Sequence, residues 1–431
     1  MNLYSKSIAK IEIGHQPVRV GLIGAGKFGS MFLAQVPTTP GLKVVAIAEL
    51  SSDRARTSCK GVGWSDDLIA DTRFTEDTFD MIGAADIDVI VEATGHPAAG
   101  IRHARAAIAA RKHIVMVNVE ADVLAGPLLA RQAEEAGVVY TLAYGDQPAL
   151  ICEMVDWART CGFHVVAAGK GTKYLPVFHT STPETVWRFR GVNPDDARKG
   201  GMNAQMFNSF IDGTKSAIEM AAVANATGLV PAPDGLRFPP ASADKLAQVL
   251  CEKNLHHRGQ VEVVSSVERD GTIVPNNLRW GVYVVFSAPN AYTERCFREY
   301  GVETDETGTL AALYRPFHLI GLELNVSIFS AALRNEATGR PTRFVADVVA
   351  TAKRDIASGE MLDGEGGYLV WGKLMPAKDS LSIGGLPIGL AQGIRVKRTV
   401  AVGASLTWDD VEIDEQDDAY AFRREMETSF A

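Results

Sequence analysis

The sequence predicts an α/β protein: a doubly wound parallel sheet of the Rossmann type, then an α+β substrate domain, then a small β-rich C-terminal domain. Three observations carry this. A glycine loop, Gly24-Ala25-Gly26-Lys27-Phe28-Gly29, follows the apolar strand Val18–Ile23 and opens a helical run, Ser30–Gln35. Strand and helix patterns alternate from Val18 to about Gly145, because parallel strands each need a crossover helix. Beyond Thr338-Gly339-Arg340-Pro341 one spacing recurs, Lys353-Arg354-Asp355-Ile356-Ala357-Ser358-Gly359 and Lys397-Arg398-Thr399-Val400-Ala401-Val402-Gly403, which reads as a small β module with two similar corners. The implied divisions are an N-terminal arm (1–16), a dinucleotide domain (17–145), a catalytic or substrate domain (146–340) and the C-terminal module (341–431).

Each glycine has a distinct task. Gly24 permits the strand-to-helix turn, Gly26 lets a pyrophosphate approach the backbone, and Gly29 lets the helix lie close on the sheet. The phosphates would then meet free N–H groups at the positive end of the helix dipole, beside Lys27 and Phe28. A second strand, Lys43–Ala48, ends in Glu49, 20 residues after Gly29 and where a ribose-binding acid is expected. A methyltransferase of Rossmann type, or a glycine loop that only turns the chain, are the competing readings. Ligands of such sheets sit at the carboxyl ends of the strands, which adds Thr94-Gly95-His96-Pro97 and Asn118-Val119-Glu120 to the cofactor set. Further elements are an Ala-rich helix over 98–110, a strand over 113–117, a helix over 127–137 and a strand over 138–143.

At 431 residues the chain exceeds what one core usually supports. A net charge of −9 without a Lys/Arg run argues against general nucleic-acid binding. No uninterrupted apolar stretch is long enough for a membrane span, and the N-terminus lacks a secretory apolar region. The five cysteines are scattered, without C-x-x-C spacing, and read as reduced thiols in a cytoplasmic protein. The nine histidines show no metal-ligand spacing.

The chemistry-bearing clusters lie in the middle of the chain. Asp146, with Gln147 and Pro148, could ligate a cation, orient a substrate hydroxyl or cap the helix that follows. Gly169-Lys170-Gly171-Thr172-Lys173-Tyr174, after the strand Phe163–Ala168, suits a phosphate or carboxylate through Lys170 and Lys173, or is a surface turn. A long helix is expected over Met206–Ala226. Its Asn208, Asp212, Lys215 and Glu219 fall on one face, as a solvated stripe or as the wall of a buried polar site. Gly213 within it costs about 1 kcal/mol relative to Ala, which points to close approach of another group. Lys215 with Asp212 and Glu219 is the best arrangement for moving a hydroxyl proton during hydride transfer. Arg315 and His318 flank the start of a helix expected over 319–333; they either complete a substrate pocket or form a packed loop. The acidic tail after Trp408 reads as a solvated end.

The glycine loop, Asp212-Gly213-Thr214-Lys215 and Tyr314-Arg315-Pro316-Phe317-His318-Leu319 together resemble homoserine-dehydrogenase-like oxidoreductases that end in a SAF domain. The segments Lys353-Arg354-Asp355-Ile356 and Leu386-Pro387-Ile388-Gly389-Leu390 are similar to SAF modules. Within that group the chain most resembles the DXP reductoisomerase-like (DRL) enzymes. The resemblance implies NADPH-dependent conversion of 1-deoxy-D-xylulose 5-phosphate to 2-C-methyl-D-erythritol 4-phosphate in isoprenoid precursor synthesis. It also implies a small phosphorylated substrate, a divalent cation (Mg or Mn) that Asp146, Asp212 and Glu219 could hold, and a phosphate clamp of Lys170, Lys173 and Lys215. Where the homoserine dehydrogenases carry Asn-Lys, this chain has Asn118-Val119. Glu49 favours NAD on electrostatics, whereas Ser51, Ser52 and Arg54 could accommodate NADP. The alternatives are an NAD(P)-dependent dehydrogenase acting on another small hydroxy acid or polyol, and a nucleotide-binding sensor without catalysis. A homodimer is the expected assembly.

Overall fold

The computed structural model describes residues 2–199 and 202–430. The chain forms two compact units, Met1–Leu150 with His318–Thr342, and Ile151–Phe317 with Arg343–Ala431.

In the first unit, β1 (Val18–Ile23), β2 (Leu42–Ala48), β3 (Arg73–Thr75), β4 (Val89–Glu92), β5 (His113–Met116) and β6 (Tyr140–Leu142) form one sheet in the order β3-β2-β1-β4-β5-β6. All pairs are parallel. The order reverses between β1 and β4, the switch point at which such sheets bind ligands. The strands are apolar on both faces because helices cover both. Val20, Leu22, Val89 and Val91 are fully buried.

The returning segment completes this core. Leu324, Ile328 and Phe329, at and within the helix Asn325–Arg334, join the cluster that holds Val20, Leu22 and Phe32. That helix starts later than residue 319 because Gly321 (φ +78°) sits in a turn, where a Cβ would come within 2.6 Å of Met31 Cβ. The segment also closes the outer edge of β6: Leu142 N–H donates to the Gly339 carbonyl at 2.7 Å and Thr338 N–H donates to Thr141 Oγ1 at 2.8 Å. An unpaired edge would otherwise invite association. The N-terminal arm is a helix, Leu3–Glu12, whose Leu3 enters the same core.

The second unit is built on a mixed sheet of β7 (His164–Thr172), β8 (Val230–Pro231), β9 (Gln260–Ser265), β10 (Val282–Ser287) and β11 (Leu310–Arg315), in the order β11-β10-β7-β9-β8. Two antiparallel pairs follow: β12 (Ala346–Ala352) with β14 (Val370–Pro376), and β13 (Met361–Asp363) with β15 (Gln392–Arg395). The two corners with one spacing face each other. Ile356 and Val400 exchange both backbone hydrogen bonds at 2.9 Å, Ser358 Oγ donates to the Lys397 carbonyl, and Val402 N–H donates to Asp355. Gly359 and Gly403 end the corners with φ of +91° and +80°, a conformation that favours glycine.

Three sequence expectations change here. The helix over 206–226 is two helices, Ala204–Ser209 and Thr214–Thr227, because Gly213 takes φ +94° and ends the α conformation. The strand expected to stop at Ala168 runs on to Thr172. The acidic stretch 412–418 is largely exposed, as expected, but the chain does not end there in solvent: the helix Asp418–Phe430 buries Arg423 completely, over the Phe344 ring, with its guanidinium on Asp347 at 2.6 Å and Glu427 at 2.8 Å.

Asp122, in the helix Val119–Glu135 of the first unit, is fully buried and accepts the Tyr140 O–H at 2.8 Å. Burial pushes its carboxyl up from 3.8 to about 7. Between those values the folded chain keeps a proton that the unfolded chain has lost, so stability falls as pH rises through that window, by about 1.4 kcal/mol per pH unit. Asp122→Asn removes this slope. Urea unfolding on either side of the window is expected to show the variant gaining on the parent at the alkaline end.

Candidate active site

The nucleotide cradle in the first unit follows from its glycines. A Cβ on Gly24 (φ +91°) would lie 2.8 Å from the Ala93 carbonyl oxygen, and one on Gly29 would lie 2.3 Å from the Gly24 carbonyl. A Cβ on Gly26 meets nothing within 4 Å. Two glycines are thus demanded by the protein itself, while Gly26 leaves open space at the start of the helix Lys27–Gln35. Lys27 and Phe28 form its first turn. At the end of β2, Glu49 turns one oxygen to the Ala25 N–H (2.9 Å) and the other to the Leu50 N–H (3.0 Å) and the Arg54 guanidinium (2.5 Å). Glu49 is buried, but the Arg54 side chain is 63% exposed.

At the carboxyl end of β4, the Thr94 hydroxyl donates to Glu92 at 2.5 Å, and His103 stands 3.2 Å from the same oxygen. Asn118 caps the helix Val119–Glu135, accepting from Ala121 N–H and donating to the His96 carbonyl at 3.0 Å. Asn118 therefore holds the exposed Thr94-Gly95-His96 turn, with Gly95 at φ +70°. Asp146 accepts from the Gln147 N–H at 2.8 Å at the head of the helix Gln147–Thr160. Among the described residues no three His, Cys, Asp or Glu side chains form a group that could hold a metal ion. The carboxylate cluster that the implied cation would need is thus not found around Asp146 among the described residues. His318 Nδ1 lies 3.5 Å from Gln147 Nε2.

In the second unit, Lys170 is not part of an exposed anion loop. It lies within β7, 5% exposed, and pairs with Glu219, 3% exposed. Its flanking glycines serve close packing: a Cβ on Gly169 would lie 1.7 Å from the Glu262 carbonyl, and one on Gly171 1.8 Å from the Leu278 carbonyl. Lys215, half-buried, stands one turn before Glu219 on the helix Thr214–Thr227 and shares its face. A lysine on the helix face that carries the paired carboxylate is the kind of group that can transfer a proton or steady an alkoxide.

Asp212 and Asn208 do not join that group, because the break at Gly213 turns them elsewhere. Asp212 pairs with Lys353 at 2.7 Å, both buried. Lys353 also donates to the Ser181 and Gly367 carbonyls at 2.9 and 2.7 Å. Asn208 bonds Ser181 and the Gly366 carbonyl. His179 was not anticipated: Nδ1–H donates to the Asp212 carbonyl at 2.7 Å and Nε2 accepts the Tyr174 O–H at 2.9 Å. Burial pushes its pKa down. No local spacing signals a lysine 141 residues beyond its partner. Lys173 donates to the Phe189 carbonyl at 2.9 Å. Burial, then the Arg279 and Arg190 charges, pull its pKa down, so three cationic groups crowd there. Arg315 ends β11, its guanidinium 5.3 Å from the Phe317 ring centre.

The parallel sheet and its glycine cradle define a dinucleotide-binding unit of the Rossmann type. Residues 24–142 match the family described as Homoserine dehydrogenase, NAD binding domain, and residues 145–324 match Oxidoreductase DRL, catalytic domain. The chain is a homoserine-dehydrogenase-like, NAD(P)-dependent oxidoreductase of the DRL type. No curated protein matches it. It is similar to the structure of a myo-inositol dehydrogenase from Lactobacillus casei with NAD(H) and myo-inositol, at 16% identity over 40% of this chain and 50% of that one, TM-score 0.30. A biliverdin reductase from Synechocystis with biliverdin and NADP+ is similar at 19% identity, over 41% and 58% of the two chains, TM-score 0.27. A levoglucosan dehydrogenase with NADH is similar at 22%, over 39% and 46%, TM-score 0.28. The matched part spans about half the length of these structures. No helix among the described residues is long and apolar enough to cross a membrane.

The cradle geometry separates two glycine substitutions. Gly26→Ala keeps the melting temperature of the parent but lowers NAD(P)H affinity about tenfold or more, since the methyl fills the space a pyrophosphate needs. Gly29→Ala lowers the melting temperature itself. Calorimetry of unfolding and of nucleotide binding checks both.

Proposed function

We propose that the chain is an NADPH-dependent reductoisomerase converting 1-deoxy-D-xylulose 5-phosphate to 2-C-methyl-D-erythritol 4-phosphate. The observation that carries this is the match of residues 145–324 to the DRL catalytic domain, joined to the buried Lys170–Glu219 pair with Lys215 one turn away. Reduced nicotinamide, when bound, would supply hydride to the aldehyde carbon of the rearranged substrate. Lys215 would give the proton that the resulting alkoxide takes up, with Glu219 one turn along the same helix face. Lys173 with Arg190 and Arg279 receives the phosphate, whose charge relieves the crowding of those cations. The described residues offer no carboxylate cluster for a divalent cation. Facing corners in 341–431 support the SAF-like reading of that segment.

For the cofactor, Arg54 already neutralises Glu49 and is exposed enough to take a 2′-phosphate, which supports NADP over NAD. A second reading, a dehydrogenase of a small hydroxy acid or polyol, is favoured by the homoserine dehydrogenase match over 24–142.

Purified protein with NADPH and 1-deoxy-D-xylulose 5-phosphate, with and without Mn²⁺, is expected to lose the absorbance of reduced nicotinamide. No loss there, with NAD(P)+ reduced by a polyol or hydroxy acid, would establish the second reading. Lys215→Ala is expected to cut turnover by about 10²-fold or more while nucleotide affinity holds; unchanged turnover removes its proposed role. Arg54→Ala is expected to raise KM for NADPH by about tenfold and leave NADH nearly unaffected, because Glu49 then faces the 2′-phosphate unneutralised.

A further inference from the structure

The second unit contains a half-enclosed cavity of about 370 Å³, lined by His179, Gly213, Phe238, Lys353, Trp371 and Lys373 among others. This volume lies in the range of small-molecule sites. Much of its wall comes from β12, β14 and the Val402–Gly403 corner, beyond the segment that matches the DRL catalytic domain. Gly213 and Ala217 present one face of the helix Thr214–Thr227 to the cavity. Lys215 and Glu219 stand two residues out of step with them, about 200° around the helix. The cavity is thus backed by the reverse side of the helix that carries the proposed proton-transfer group.

Its chemistry is that of an anion site with an aromatic wall. Trp371 is half-exposed and stacks on His179, ring centres 3.9 Å apart. Burial, with Lys353 and Lys373 nearby, pushes the imidazole's pKa below the usual histidine value, so it contributes surface rather than charge. Lys353 spends its three N–H bonds on Asp212 and two carbonyls, and that pair is neutral overall. Lys373 is different. It is half-buried and makes no ion pair or hydrogen bond among the described residues. Gly213, at the head of the 14-residue helix Thr214–Thr227, lines the same space, while the Asp212 carboxylate takes the first N–H of that helix. The opposing charge, Asp234, has a side chain 84% exposed at the rim and is screened by water. Phe238 closes the wall with φ +51°, rare for a non-glycine residue, and stacks on Tyr174 at 3.9 Å. Local strain of this kind collects at binding sites.

We propose that this cavity binds a small organic anion, its carboxylate or phosphate on Lys373 and its flat body against Trp371. The proposal is independent of which substrate the enzyme turns over. Isothermal titration of the full chain saturated with NADPH, using phenyl phosphate and benzoate as probes and benzyl alcohol as the neutral control, tests it. At least one anion is expected to bind, the alcohol far more weakly. Lys373→Met is expected to weaken the anion by at least about tenfold, and Trp371→Leu to weaken it too, while both variants keep the parental NADPH affinity and melting temperature. Binding of neither anion, binding of the alcohol as tightly as the anions, or unaltered anion affinity in Lys373→Met overturns the proposal. The last outcome would place the anion at the Lys173, Arg190 and Arg279 cluster instead. If Trp371→Leu fails to fold, Lys373→Met still decides, since that side chain has no partner to lose.

Discussion

The buried pair of Asp212 and Lys353 is the constraint on which the second unit depends. Desolvating two charges costs several kcal/mol, and their attraction recovers this only when every remaining donor is satisfied. Here the ammonium reaches a carboxylate and two carbonyls, and the carboxylate also takes the Thr214 N–H at 2.9 Å. Loss of either partner would strand a charge in a dry interior. The pair therefore fixes where the helix Thr214–Thr227 begins and joins it to the C-terminal strands. Thr214 adds to the joint by accepting the Gly372 N–H at 2.8 Å. The direction of that helix then decides which way Lys215 and Glu219 face.

The nucleotide unit rests on a simpler economy. Backbone crowding dictates Gly24 and Gly29, so their presence would be required by the turn even without a ligand. Gly26 has no such structural excuse, and the empty space beside it is the feature that speaks for a pyrophosphate. Glu49 plays two parts: it ties the loop through the Ala25 N–H and holds Arg54 at the mouth of the cleft.

Much of this was legible in the sequence. The parallel sheet came from the alternation of patterns, and the cradle from glycine spacing with an acid at the expected distance. The two corners of the C-terminal module were visible as a repeated spacing, although not that they would clasp each other. The polar stripe was misjudged because helical periodicity assumes an unbroken helix, and a glycine at positive φ ended it. Lys170 looked like a loop residue because glycines usually mark turns; in β7 they admit neighbouring carbonyls instead. The Lys353 and His179 contacts lay beyond reach, since pairings between distant segments leave no local pattern. The packing of the terminal helix was hidden for a related reason, as Arg423 and its carboxylates are charges that neutralise one another out of water.

The return of residues 318–342 to the first unit has a practical consequence. A fragment cut at Leu150, where a linear reading of the chain would end the nucleotide module, lacks the helix that seats Ile328 and Phe329 among the sheet's own side chains. Such a fragment would expose an oily flank and a raw strand margin, and would clump rather than fold. A soluble, excised version needs the later stretch grafted back onto its end.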